Sequence, residues 1–254
     1  GWSQLAAAAM TAAFFLLLTI KQVEIALACG VLAIAACIFW TWQLDKPGIG
    51  KVDIGGGIRV PTYVTGPLSH SWWAMVVLML VSASLYVSYI FSYLYLWTVS
   101  PDVWAPNGSP APPSLLFPLG SALLFVGGAA ILFWAGRIIP PKGRRSIAVI
   151  AAMAMAALAI AAGVGLEIWG HTLTGLDPTA SSYGAMVYMA PVLTGQAGAA
   201  AIIMCLFAAA RHATSQLDNI RRVTFDNAAL LYYYTVGQGL VGLLLIHGFP
   251  RLIG

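Results

Sequence analysis

The sequence predicts an all-α membrane protein whose seven transmembrane helices form a two-helix hairpin and a five-helix bundle. Hydrophobic residues make up 60% of the 254 residues and charged residues only 8%, whereas soluble domains carry about 25% charged residues. The apolar residues fall into seven runs, and a helix of about 20 apolar residues crosses a bilayer. A soluble globular protein is therefore excluded.

The first two apolar runs extend from about Leu5 to Ile20 and from about Ile25 to Trp42. Only four residues separate them, which predicts a tight helical hairpin over residues 1–43. The first run is too rich in alanine, and too close to the second, to be typical of a cleaved signal peptide.

Residues 44–70 are polar and contain prolines and three consecutive glycines at 55–57. This composition predicts a cytoplasmic linker between the hairpin and the bundle at 71–254. No Lys-Ser/Thr pair follows the glycines, so they are typical of a loop and not of a phosphate-binding cradle.

The third apolar run, residues 71–98, contains no charged residue and has tryptophans at both ends, as at lipid–water boundaries. A polar and aromatic stripe runs along it: Ser82, Ser84 or Tyr86, Tyr89 and Tyr93. Hydroxyls within a lipid span usually face other helices. We therefore expect this helix to lie inside the bundle, with the others packed around it.

Four further spans follow, at about 114–135, 147–166, 183–210 and 226–249. Pro191 and Gly195 predict a kink in the third of these. The loops on the N-terminal side (44–70, 136–145 and 211–224) hold ten Lys and Arg residues, and the other side holds two, Lys21 and Arg251. This bias predicts a cytoplasmic N-terminus and an external C-terminus.

Few residues are candidates for chemistry. The four histidines, His70, His171, His212 and His247, fall at or near span ends, which predicts solvated interfacial positions and not ligation of haem. The three cysteines lie within apolar runs and form no zinc-like cluster. The sequence therefore predicts no catalytic, cofactor-binding or metal site, and no binding of haem or copper by this chain.

The carboxylates Glu167 and Asp226 are the best candidates for an ion pathway, but both lie near predicted span ends. Glu167 is kept as the candidate functional carboxylate; the alternative is an interfacial residue at the outer end of its helix, bonded to nearby hydroxyls or backbone. The segment 237–242 matches G-x-G-x-x-G within a lipid span, which favours helix packing over dinucleotide binding. The last span has no lysine to hold retinal. The net charge of +4 is spread over short loops, which favours membrane topology over nucleic-acid binding.

Three stretches resemble subunit III of the haem–copper respiratory oxidases. They are Phe91-Ser-Tyr-Leu-Tyr; Glu167-Ile-Trp with Tyr183-Gly-Ala and Thr194-Gly195; and Phe225-Asp226 with Ala228-Ala229-Leu-Leu-Tyr-Tyr-Tyr. Three further segments resemble more specifically the subunit III portion of bacterial chains that fuse subunits I and III. They are Gly-Gly-Gly-Ile-Arg-Val-Pro-Thr-Tyr, Ser-His-Ser-Trp-Trp-Ala-Met and Leu-Ile-His-Gly-Phe-Pro-Arg-Leu.

The chain also departs from this family. Ser82 stands where the family usually has a buried Glu, and Thr194 and Ala197 stand in place of its histidine pair. Tyr234 and Gly237 replace its last His and Asp. The roles of those family side chains therefore do not carry over to this chain.

The resemblance implies an accessory subunit without an active site of its own, within an oxidoreductase of a bacterial cytoplasmic membrane. Catalytic subunit I would hold haem and copper, reduce oxygen and pump protons. We expect structural phospholipids between hairpin and bundle, with Arg59, Arg221 and Arg222 available for anionic headgroups. Small residues of the fifth and sixth spans, among them Ala157, Gly195 and Gly198, are expected to contact the partner. The alternative is a seven-helix transporter or assembly protein unrelated to oxygen reduction.

Overall fold

The computed structural model describes residues 1–43, 52–60, 69–104, 112–141 and 144–253. Seven helices are long and apolar enough to cross a membrane. This confirms the predicted all-α class with seven spans. The chain divides into two compact units, Gly1–Val64 and Thr65–Gly254.

The first unit contains the predicted helical hairpin, formed by α1 (Trp2–Thr19) and α2 (Val23–Gln43). The chain reverses at Lys21, which has a positive φ of 60°. There the amide of Gln22 donates to the carbonyl of Leu17 at 2.9 Å, which satisfies a carbonyl at the end of α1.

A short antiparallel pair, β1 (Val52–Asp53) and β2 (Arg59–Val60), lies within the predicted linker. The glycines at 55–57 all have positive φ, which suits the tight turn between the two strands. They lie in a turn, as predicted, but the turn connects strands that the sequence analysis had not expected. Residues 44–51 and 61–68 of the predicted linker lie outside the described residues.

The second unit is a helical bundle. Its elements are α3 (His70–Val99), α4 (Pro101–Trp104), α5 (Leu116–Arg137), α6 (Ile147–Leu173), α7 (Ser182–Ala213), α8 (Val223–Leu243), a π-helical segment (Leu244–Gly248) and α9 (Phe249–Ile253). Serine side chains accept hydrogen bonds from the first turns of α3, α6 and α7 and so define where these helices begin: Ser69, Ser146 and Ser181. Pro191 lies inside α7, which continues through it.

The prediction that the third span lies at the centre of the bundle is wrong. Only 17% of the residues in its apolar window are buried, against 61% for the last span, Val223–Leu252. The hydroxyls of Ser84, Ser88 and Ser92 each bond to the carbonyl four residues earlier in α3. They need no neighbouring helix, and so they can face lipid. The buried face of α3 carries the tyrosines of the predicted stripe, Tyr86, Tyr89 and Tyr93.

Close contacts between small residues hold α5, α6, α7 and α8 together. The buried hydroxyl of Tyr232 in α8 donates to the carbonyl of Ala156 in α6 at 2.7 Å. Gly128 of α5 leaves space for this hydroxyl, since an added Cβ would overlap it. Polar side chains thus join helices inside an apolar core.

Two of the residues predicted to contact a partner are buried within this bundle. Ala157 is only 3% exposed, and a Cβ on Gly198 would lie 2.8 Å from Ile160. Gly195 is half-buried, and a Cβ there would lie 3.3 Å from Val164. Ala157 and Gly198 are not accessible to a partner, because they are buried where α6, α7 and α8 pack against one another.

Candidate functional site

Glu167 lies inside α6. The sequence predicted that it lies at the outer end of the helix, and this prediction is wrong. The helix continues six residues further, to Leu173, and its last turn is capped by the Thr174 amide, which donates to the carbonyls of His171 and Thr172. His171 follows Glu167 by four residues and therefore lies on the same helix face. Its Nε2 atom is 3.2 Å from Oε1 of Glu167.

The second histidine of the site comes from the other end of the bundle sequence. Nε2 of His247 lies 2.5 Å from the same Oε1 of Glu167. His247 belongs to the π-helical segment Leu244–Gly248, and such segments are frequent at functional sites. Arg251 fixes this segment, because its guanidinium donates to the carbonyls of His247 and Pro113, both at 2.8 Å.

The three side chains form a buried cluster, which we call the Glu–His–His cluster: Glu167, His171 and His247. Their exposed fractions are 4%, 1% and 3%. The two imidazole rings stack, with centroids 5.1 Å apart and an angle of 16° between their planes. Oε2 of Glu167 and both Nδ1 atoms have no hydrogen-bond partner among the described residues. These three buried atoms could therefore still accept or donate a hydrogen bond that the described residues do not supply.

A small apolar cavity extends from Glu167 into the bundle. Its volume is about 10 Å³, close to the smallest that accommodates one water molecule. The residues around it come from α5, α6, α7, α8 and the π-helical segment, and include Phe125, Pro191 and Thr194. The cluster therefore lies beside a confined space with few polar groups.

The histidines are not solvated as predicted, except for His70, which is exposed. His212 is fully buried. Its Nε2 atom accepts from the amide of Ser146 at 3.1 Å, so its proton is on Nδ1, which donates to the carbonyl of Leu217 at 2.9 Å. His212 thus joins two loops, and its position near a helix end in the sequence did not indicate exposure.

The predicted headgroup-binding arginines differ in their environment. Arg59 is exposed on β2. Arg221 is mostly buried and pairs with Asp218 at 2.7 Å. It is therefore not available to lipid, contrary to the prediction from the sequence. Arg222 is partly exposed and pairs with Asp226 at 2.8 Å.

Asp218 anchors the loop between α7 and α8. Burial alone would raise the pKa of its carboxyl group, but amide donors from Ile220 and Arg221 and the Arg221 guanidinium together hold the pKa below its usual range. The charged carboxylate is therefore part of the folded loop, and the pair has a structural role.

Arg222 also lines a groove at the end of the bundle where α5 and α7 end and α6 and α8 begin. The groove has a volume of about 380 Å³. Arg137 and Arg222 supply its cationic groups, and Trp72 is typical of a membrane boundary. Its other residues are mainly apolar and come from α5 and α8: Leu132, Phe133, Gly136, Phe225, Asp226, Ala229, Leu230 and Tyr233.

The sequence contains a signal for two residues of the Glu–His–His cluster, which the prediction of solvated histidines did not take into account. Glu167 and His171 are spaced four apart within an apolar helix, which places them on one face. His247 is 80 residues from Glu167, and only packing brings it near. Comparison with protein-family models and with curated protein sequences gave no match.

Proposed function

We propose that this chain is an accessory, non-redox subunit III of a haem–copper terminal respiratory oxidase. It supports a catalytic subunit I that holds haem and copper and couples oxygen reduction to proton translocation. The chain lies in a bacterial cytoplasmic membrane with its N-terminus inside, as the distribution of Lys and Arg favours.

The observation that supports this proposal is that the three stretches resembling subunit III pack in one bundle. In the first two, Tyr93 packs against Trp104, which packs against Tyr183, with ring centroids 4.8 and 5.5 Å apart. The third stretch packs against α6, the helix that carries Glu167, where the Tyr232 hydroxyl donates to the Ala156 carbonyl at 2.7 Å. The three stretches thus lie in one bundle, as the proposal requires.

The partner contacts the exposed face of α6, in this proposal. Exposed residues recur along it at alternating spacings of four and three: Ala151, Met155, Leu158, Ala162, Gly165 and Trp169. This is the spacing of a seam between two helices that pack at a small crossing angle. A Cβ on Gly165 would meet no described atom within 4 Å, so this glycine leaves room for a partner's backbone.

Co-purification tests the proposal. An affinity-tagged chain, extracted from its own membrane in mild detergent, should retain a partner with haem absorbance. Gly165→Leu should lower the amount of haem recovered per chain, because a large side chain would hold the helices apart. Gly237→Leu is the matched control: this exposed glycine of α8 also has open space around its Cβ position. A chain that retains no haem protein would contradict the proposal.

The second candidate is a seven-helix transporter, and the Glu–His–His cluster favours it. Ionisable residues within membrane spans often line ion pathways. A transporter would be purified without haem, and Glu167→Gln would abolish its transport. The same haem spectrum therefore distinguishes the two candidates.

A further inference from the structure

The ligand atoms of the Glu–His–His cluster lie close together, and one of its carboxylate oxygens has no hydrogen-bond partner among the described residues. One carboxylate oxygen of Glu167 and one ring nitrogen from each of His171 and His247 all lie within 4.8 Å of one another. Oε2 of Glu167 has no hydrogen-bond partner among the described residues. Two imidazole nitrogens and a carboxylate that can bind through one or both oxygens supply three or four ligands.

We propose that the Glu–His–His cluster is a binding site for a divalent transition-metal ion, of which Zn²⁺ is the representative. Two histidines and one glutamate are an established zinc ligand set, and imidazole favours zinc over calcium or magnesium. Zinc has no redox chemistry, so the site is compatible with a non-redox subunit. The ion would join α6 to the π-helical segment that follows α8.

One of the distances between ligand atoms already fits a zinc site, and a second needs a small adjustment. Ligands about 2.0–2.1 Å from a tetrahedral zinc ion lie about 3.3 Å from one another. Glu167 Oε1 and His171 Nε2 are already 3.2 Å apart. His247 Nε2 is 2.5 Å from the same oxygen, a hydrogen-bond distance, and must move away by about 0.8 Å as the ion replaces this hydrogen bond.

Burial strengthens the case for an ion. A carboxylate with two imidazoles in an apolar bundle is costly unless each donor and acceptor has a partner. Zinc would bind the Nε2 atoms and the carboxylate, and would leave each Nδ1 protonated. No described acceptor is bonded to either Nδ1, and such outer partners normally strengthen metal binding. We therefore expect weaker binding than at a site whose histidines donate to outer acceptors.

Zinc binding to the full chain, together with any co-purifying partner, tests the proposal. The protein is treated with chelator, dialysed against about 10 µM Zn²⁺ and analysed for metal, and about one ion should bind in addition to any retained by a partner. Glu167→Gln, His171→Gln and His247→Gln should each weaken binding at least tenfold. His70→Gln and Asp177→Asn remove an exposed histidine and an exposed carboxylate elsewhere in the chain, and should leave binding unchanged.

A second measurement uses only the wild-type protein, so it tests the proposal even if the variants fail to fold. Co²⁺ bound to the wild-type protein should give the visible absorption of a four- or five-coordinate nitrogen and oxygen site, and Zn²⁺ should displace it. Wild-type protein that takes up no Zn²⁺, or folded variants that bind it as tightly as wild type, would overturn the proposal. A Co²⁺ spectrum with only six-coordinate, water-like bands would also overturn it.

Discussion

Oε1 of Glu167 lies 2.5 Å from Nε2 of His247, although 80 residues separate the two in the chain. His171 approaches the same oxygen at 3.2 Å. One carboxylate inside α6 thus joins this helix to the segment after α8. The metal site that we propose depends on this contact.

In the proposed oxidase, Glu167→Gln should leave proton pumping largely intact. The carboxylate is bonded to histidines of its own chain, and the proposal assigns pumping to the catalytic subunit. The measurement is protons ejected per oxygen reduced, in vesicles that contain the purified complex. Loss of pumping, with oxygen reduction retained, would place Glu167 in a proton path and contradict this expectation.

Tyr232→Phe should destabilise the bundle by about 0.5–1.5 kcal/mol, because the buried Ala156 carbonyl loses its hydrogen bond from the tyrosine. Tyr233→Phe, at a residue that is 38% exposed, should have a smaller effect. Denaturant-induced unfolding in detergent micelles measures both. Equal stability of wild type and Tyr232→Phe would mean that this contact contributes little.

Gly198→Ala should destabilise the chain by about 1–3 kcal/mol, since its Cβ would lie 2.8 Å from Ile160 in a packed core. Gly237→Ala should be neutral or stabilising by up to about 1 kcal/mol, because alanine has the higher helix propensity and no described atom lies near its Cβ. The comparison uses thermal unfolding of both variants. The opposite order would contradict the packing of α6 against α7.

Stability should fall in acid because of Asp218. Its pKa is lower in the folded protein than in the unfolded chain, so its contribution is fully present above about pH 4 and is lost as the pH falls through the folded-state value. Asp218→Asn should remove this contribution and flatten the dependence of unfolding free energy on pH below about 4.

Asp226→Asn provides the matched control for Asp218. Its carboxylate pairs with Arg222, but both side chains are more than one third exposed. Its replacement should cost less than about 1 kcal/mol, as for other exposed ion pairs. If the two aspartates have equal effects at neutral pH, the buried pair is not the anchor of its loop.

We also predict that the groove lined by Arg137 and Arg222 binds an anionic phospholipid. Its cations would contact the headgroup, and its apolar residues would contact the acyl chains. Native mass spectrometry should detect more phosphatidylglycerol than phosphatidylcholine on the chain. Arg137→Gln with Arg222→Gln should remove this preference, whereas Arg145→Gln, at an exposed arginine bonded to Ser215, should retain it.

The sequence by itself determined the class of this protein and the positions of its spans. Runs of apolar residues have no stable alternative to helix in a bilayer, because every backbone group must be bonded within the segment. The hairpin was equally predictable, since only four residues separate the first two apolar runs and allow no other connection.

Only the tertiary structure decided which faces of the helices are buried. The spans carry apolar residues on every side, so the periodicity that distinguishes core from surface in soluble helices is weak. The sequence therefore placed α3 at the centre instead of α8, and assigned Ala157 and Gly198 to a partner. His171 and His247 were predicted to be solvated because they fall at or near the ends of the predicted spans. Their burial beside Glu167 depends on the packing of α6 against the segment after α8, which no local pattern records.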